Sequence, residues 1–162
     1  MKKFTGIYLC AVLFLPAIVF VSCAGGASFG GGKAVFKDVQ GEEWILLEVR
    51  SQGKTVSIDR KKLDSGFPNG AFTINFEEDR VNGVGAPNRY FGPCTVNSDK
   101  TLSIGNLAST MMAALFEPDE LKEHEFFDYL SKAKRWDLKS GKLELYSTNS
   151  SGAETVLVFG PK

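Results

Sequence analysis

The side chains best suited to recognition are Asn88, Arg89 and Tyr90, which lie in the glycine-rich run 83–92. This run is predicted to be a bent crossing between strands, with Tyr90 and Phe91 as its apolar anchors. The three residues could line a rim where a partner docks. They could also be structural, with Asn88 capping a turn, Arg89 bonding loop carbonyls or a carboxylate, and the Tyr90 hydroxyl satisfied inside. Glycine-flanked polar runs commonly form bends, which favours the structural interpretation.

Catalytic chemistry finds little support in the sequence. Ser109 and Thr110 carry hydroxyls but no base accompanies them, so a backbone-bonding turn is expected instead of a nucleophile. His124 is the only histidine, and its neighbours are not spaced to complete a metal site. The adjacent carboxylates at 77–79 suit a turn better than acid–base work. We therefore predict no catalytic residues, no metal, no cofactor and no enzymatic activity.

Short antiparallel strands are the elements predicted to hold these residues. Phe72, Ile74 and Phe76 alternate with polar residues and therefore share one buried face. The polar segment 77–80 reverses the chain, and comparable short strands with turn signals recur along the sequence. We expect an α+β, mostly β fold: a compact antiparallel β-barrel or strongly curved sheet of about eight short strands.

One helix is predicted to cover this barrel. Pro118 suits its first position, and Phe126, Phe127 and Leu130 fall on one apolar stripe. The charged run 59–62 is expected to be solvated surface.

Several short sequence segments are weak signals of a protein family singly but are more specific in combination. They are Phe72-Thr73-Ile74-Asn75-Phe76, Arg80-Val81-Asn82-Gly83, Asn88-Arg89-Tyr90-Phe91-Gly92 and Leu107-Ala108-Ser109-Thr110-Met111-Met112-Ala113. Together they resemble the META family, a small bacterial envelope domain also found in heat-inducible HslJ-type proteins. The resemblance spans about residues 43–159 and implies the same architecture. Family members often carry a cysteine at each of the places held here by Pro87 and Ala114, so a disulfide between them cannot form in this chain.

The N-terminus has the features of an export signal. Met1-Lys2-Lys3 is a charged start, and the apolar run 7–21 is short for a membrane-spanning helix. Phe20-Val21-Ser22-Cys23 resembles a bacterial lipobox. We predict a lipoprotein signal peptide at 1–22 and lipidation of Cys23, although a plain signal peptide cut near Ala24 or an uncleaved anchor would also fit.

The predicted anchor defines the rest of the organisation. Residues 23–41 would be the lipidated Cys and a Gly-rich tether, and 42–162 the META/HslJ-like domain. Several acyl chains on Cys23 would hold the protein on a membrane. The expected location is the bacterial cell envelope, with a lean to the outer membrane because Ala24 carries no retention charge. Cys94 would remain as a single thiol, expected to be a small buried strand residue, with a redox or intermolecular contact as the alternative.

Charge excludes one class of partner. The chain has 19 basic and 19 acidic residues, and removing the two leader lysines leaves 17 basic residues against 19 acidic ones. This charge balance lacks the excess of basic residues that is typical of nucleic-acid-binding proteins.

Two functional hypotheses follow from the sequence. In the first, the protein is a non-catalytic, membrane-tethered envelope lipoprotein whose domain contacts an envelope protein partner, in envelope maintenance or stress tolerance. In the second, the small barrel binds an apolar ligand or lipid. The many large aromatic residues favour a filled interior and thus the first hypothesis.

Overall fold

The computed structural model describes residues 34–114 and 116–162. The predicted signal peptide, Cys23 and most of the predicted tether lie outside the described residues. A short 3-10 helix, Phe36–Asp38, leads into the domain. The strands are β1 (Glu43–Ser51), β2 (Lys54–Ser57), β3 (Thr73–Phe76), β4 (Arg80–Val84), β5 (Arg89–Val96), β6 (Leu102–Ile104), β7 (Ala108–Ser109), β8 (Arg135–Lys139), β9 (Lys142–Thr148) and β10 (Glu154–Pro161). The helices are α1 (Arg60–Gly66) and α2 (Glu123–Ser131).

Eight of the strands form one antiparallel path in the order β6-β5-β4-β3-β1-β10-β9-β8, with β2 paired to β1 and β7 paired to β5. The two ends of this path meet. Leu102 N donates to Lys134 O at 2.9 Å, and Trp136 N donates to Lys100 O at 3.0 Å. The result is a nearly closed antiparallel barrel, which confirms the predicted mostly β, α+β fold.

Large side chains fill the barrel interior. The largest of those that are almost completely buried are Trp136, Tyr90, Phe72, Phe76, Phe126 and Phe159. Phe126 comes from α2, and its ring centroid lies 5.1 Å from that of Phe72 and 6.5 Å from that of Phe159. Burying one such side chain contributes about 1.5–3 kcal/mol. The predicted covering helix therefore packs directly into the core.

A second helix, α1, was not predicted, because the charged run 59–62 gives no apolar stripe. Asp59 caps this helix, its Oδ1 accepting a hydrogen bond from Lys62 N at 3.1 Å. Leu63 is its only buried residue, so a single apolar side chain and a cap determine where it lies.

The start of α2 differs from the prediction. The helix begins at Glu123 and not near Pro118, because the backbone of Lys122 is still extended. Lys122 N donates to Glu125 Oε2 at 2.9 Å, which satisfies one of the amides at the helix start. No helix within 34–114 and 116–162 has both the length and the apolar character needed to cross a membrane.

Strand β5 corrects one predicted anchor. Its residues alternate, so Tyr90 and Cys94 face the core while Phe91 points outward and is 55% exposed. Phe72 also departs from the simple pattern. It is fully buried but precedes β3 with a φ of +49°, which a bulky residue seldom adopts.

Candidate functional site

A hydrogen-bonded cluster around Asn88 joins three separate parts of the chain, and we call it the Asn88 clasp (Ala86, Asn88, Thr110, Met112 and Glu123). Glu123, in the first turn of α2, reaches the turn between β4 and β5. Its Oε1 accepts from Ala86 N at 2.6 Å and from Asn88 N at 2.7 Å. Its Oε2 accepts from Asn88 Nδ2 at 2.7 Å.

The other end of the Asn88 side chain holds the segment that follows β7. Asn88 Oδ1 accepts from Thr110 Oγ1 at 2.9 Å and from Met112 N at 2.7 Å. Thr110 Oγ1 in turn accepts from Arg89 N at 3.1 Å. Asn88 is only 8% exposed. An asparagine suits this place because its side chain donates and accepts at the same time.

Two glycines near the clasp allow close approaches, Gly83 to Thr73 and Tyr90 and Gly85 to Glu123. A Cβ on Gly83 would overlap Thr73 O and lie 2.8 Å from Tyr90 Oη. A Cβ on Gly85 would lie 2.5 Å from Glu123 Oε1. Both distances are shorter than side-chain carbons tolerate, so these positions require glycine for space.

Tyr90 completes the buried side of this region. Its hydroxyl donates to Thr73 O at 2.8 Å, and burial raises the pKa of Tyr90 well above its ordinary value. The phenol therefore stays neutral and serves as a hydrogen-bond donor inside the barrel.

The predicted site residues thus separate into two groups. Asn88, Thr110 and Tyr90 are committed to internal hydrogen bonds, and the Arg89 and Ser109 side chains are exposed. Sequence reasoning missed Glu123, which lies 35 residues from Asn88 and was considered only as a neighbour of His124. Nothing in its local pattern distinguishes it from the other acids of α2.

A surface groove of about 240 Å³ lies beside the clasp. It is lined by Gly66, Phe67, Pro68, Asn69, Gly70, Val84, Pro87, Arg89, Met112, Ala113 and Phe116. Phe67 and Phe116 pack against each other with centroids 5.5 Å apart. Arg89 is the only charged residue of this lining. Its side chain forms no ion pair with any residue that the structure describes.

A second polar cluster lies on the outside of the sheet, around Glu144. This carboxylate accepts from Arg50 Nη1 at 3.0 Å, Lys139 Nζ at 2.8 Å and the Tyr146 hydroxyl at 2.6 Å. Burial alone would raise the pKa of Glu144, but the hydrogen bonds from Lys139 and Tyr146 outweigh it and lower that pKa. The hydrogen bonds that Lys139 donates to Glu144 and to the Tyr146 hydroxyl raise the pKa of Lys139. The cluster connects β1, β8 and β9 through ion pairs and hydrogen bonds.

Among the residues that the structure describes, the other candidates for catalysis or metal binding do not come together in one site. Cys94 is buried, which raises the pKa of its thiol to about 11. Within residues 34–114 and 116–162, no three His, Cys, Asp or Glu side chains are grouped to hold a metal ion. His124 is exposed on α2.

The comparisons with known proteins agree with the fold. A model of the META domain matches residues 37–160. The chain belongs to the META domain family. No curated protein matches it. This META domain is similar to the NMR structure of a protein from Burkholderia xenovorans, with a TM-score of 0.56, 18% identity, and coverage of 82% of this chain and 96% of that one.

A second similar structure is the crystal structure of a DUF4847 family protein from Bacteroides vulgatus. Its TM-score is 0.54 at 18% identity, and the match covers 78% of the META-domain chain and 96% of the other. At this identity the likeness shows a shared fold.

Proposed function

We propose that this META-domain protein is a lipid-anchored lipoprotein of the bacterial cell envelope whose domain is a non-catalytic interaction module. Its role would be envelope maintenance or stress tolerance, in keeping with the HslJ-type likeness of the central stretch. The anchor is supported by the leader, in which a charged start and an apolar run lead to Phe20-Val21-Ser22-Cys23. Acylation of Cys23 would place the barrel on a membrane, with an outer-membrane position favoured by Ala24.

One observation carries the interaction part of the proposal. The side chains of Asn88 and Thr110, from segments that resemble the META family, are held by the hydrogen bonds of the clasp, while several neighbouring residues face solvent. Met111 is 98% exposed and Met112 58% exposed, and Phe91 and Arg89 also point outward. Exposed methionine and aromatic side chains beside an arginine are the residue types that protein interfaces favour.

The filled interior supports this proposal over binding of an apolar ligand or lipid within the barrel. Trp136, Phe72 and Phe126 occupy the space that such a ligand would need. An interior binding site in a small barrel requires that side chains leave room for it.

Site-specific crosslinking in intact cells would test the proposal. A photo-crosslinking amino acid at Met111 would report on the proposed face, and the same amino acid at Val56, an exposed apolar residue of β2, is the matched control. We expect Met111 to capture a distinct envelope protein that Val56 does not. Identical products from both positions, or capture of no protein by Met111, would reject the interaction module.

A further inference from the structure

The groove beside the clasp combines an apolar lining with one cation. Its lining includes the apolar residues Phe67, Val84, Pro87, Met112 and Phe116. Apolar surface that stays open to water favours an occupant able to cover it.

Arg89 gives this groove a charge preference. Its backbone is fixed on both sides, since Arg89 N donates to Thr110 Oγ1 at 3.1 Å and Arg89 O accepts from Thr110 N at 3.0 Å. The guanidinium has no carboxylate partner among the described residues, and Glu123, the acid of the clasp, accepts its hydrogen bonds from Ala86 and Asn88. A fixed backbone with an unpaired guanidinium suits a carboxylate, which arginine binds through two parallel hydrogen bonds.

The size of the groove limits what the apolar part can be. A cavity of about 150 Å³ holds benzene, and sites for drug-sized ligands begin at about 300 Å³. At about 240 Å³ the groove is suited to one large side chain and is small for a long acyl chain or a phospholipid.

We propose that the groove binds the C-terminal residue of a partner protein, with a large apolar side chain in the groove and the α-carboxylate on Arg89. In a C-terminal residue the side chain and the carboxylate are attached to the same carbon, which lets both be bound within one small site. An internal acidic residue would have to supply the two groups from neighbouring positions. This inference rests on the proposed function and names the part of the partner that the domain contacts.

A matched pair of small probes tests the recognition directly. N-acetyl-4-fluoro-L-phenylalanine carries the side chain and the carboxylate, and its amide carries the side chain alone. Binding to the full-length protein in lipid nanodiscs would be followed by ¹⁹F NMR, with empty nanodiscs as the blank. We expect the acid to bind about tenfold more tightly than the amide, as loss of a hydrogen bond to a charged group predicts.

Variants assign the effect to the groove. Arg89→Gln is expected to weaken binding of the acid about tenfold and to leave binding of the amide unchanged, as expected for one shared interaction. Arg80→Gln is the matched control, because Arg80 pairs with Glu77 and does not line the groove. Ala113→Phe, an exposed position in the lining, should fill the groove and abolish binding of both probes. Thermal unfolding of each variant would confirm that the fold is retained.

Several results would overturn the inference. Equal affinity of the protein for the acid and the amide would show that Arg89 does not bind the carboxylate. Stronger binding of decanoate than of the acid probe would indicate a fatty acid as the occupant of the groove instead. The photo-crosslinking amino acid at position 111 could capture the partner equally well in the Arg89→Gln variant. In that case the proposed C-terminal docking is wrong, and the proposal of an interaction module is unaffected. Arg89-dependent probe binding with no protein captured in cells would reject the proposed function and, with it, a protein as the occupant.

Discussion

Glu123 and Asn88 are the two side chains that hold the clasp together, and the two oxygens of Glu123 accept three hydrogen bonds. Glu123→Gln keeps the size but replaces one acceptor by a donor. Asn88 cannot turn its amide to compensate, since its Oδ1 already accepts from Thr110 and Met112. We expect the free energy of unfolding, measured in urea, to fall by about 1–3 kcal/mol.

Glu120→Gln is the control for this change, because Glu120 precedes α2 and lies outside the clasp. It should alter the free energy of unfolding by less than about 0.5 kcal/mol. Equal stability of the two variants would show that the clasp is not a major stabilising element.

Gly83 is required for space and not for an unusual φ. A methyl group there would press on Thr73 O and the Tyr90 hydroxyl, and one of these would have to move. We expect Gly83→Ala to cost about 3 kcal/mol or more, or to prevent folding, as judged by thermal unfolding. Gly53→Asn is the comparison, because Gly53 has open space around it and asparagine tolerates its φ of +73°. A stable Gly83→Ala protein would contradict the packing described for β4.

The buried thiol of Cys94 should be slow to react in the folded protein. Thiols react as thiolates, and burial raises the Cys94 pKa from 9.0 to about 11, which lowers the thiolate fraction near pH 8 by about a hundredfold. Iodoacetamide labelling followed by mass spectrometry should therefore leave Cys94 largely unmodified until the pH approaches 11. The same reagent should label it readily in guanidinium chloride. Fast labelling of the folded chain at pH 8 would exclude the buried position.

At the residue scale, the sequence predicted the inward packing of Tyr90 and the structural use of Asn88 in outline. It did not predict Phe91 as an exposed residue, because glycine and proline positions obscured the alternation along β5. The role of Glu123 in the clasp could not be predicted from the sequence, since its hydrogen-bond partners belong to a turn that is distant in the chain.

Among the elements, α2 is the one that ties the core to the clasp. Phe126 fills the centre of the barrel, and Glu123 on the same helix holds the turn before β5. Phe126→Ala should lower the free energy of unfolding by about 3–5 kcal/mol, because it leaves a large cavity. His124→Ala, on the exposed side of the same helix, should have little effect. Similar losses in both variants in a urea titration would contradict the packing of α2.

The elements differ in how well the sequence predicted them. A strand with clear alternation, such as β3, was expected from the spacing of Ile74 and Phe76. The start of α2 was misplaced because Pro118 and the acids after it look like a helix start. Asp119 instead pairs with Lys62 of α1, at 3.0 Å, in an exposed loop. α1 itself was missed because a single buried leucine gives no periodic pattern.

At the scale of the whole molecule, the barrel was predictable because many short alternating strands with few helices have few ways to bury both faces. The strand order was not predictable, since pairing of β1 with β10 joins residues more than 100 positions apart. The META family match supports the domain over 37–160, while the anchor remains a prediction from the leader.

That anchor gives a prediction for the intact protein. Cys23→Ser should abolish incorporation of labelled palmitate in growing cells and move the protein from the membrane fraction to the soluble fraction. Cys94→Ser is the matched control, because Cys94 is buried in the domain and should not affect fractionation. Unchanged palmitate labelling of the Cys23→Ser protein would reject lipidation at that residue.

The position of β10 constrains the order of events during biogenesis. β10 lies between β1 and β9, and its two ladders join the strands within residues 43–109 to the hairpin of β8 and β9, whereas the closing contact at the other end is limited to a few hydrogen bonds near β6 and β8. Until residues 154–161 have emerged, Leu46 and Leu145 lack the strand that lies between them. We therefore expect the nascent chain to remain open, and accessible to chaperones, until β10 has been synthesised.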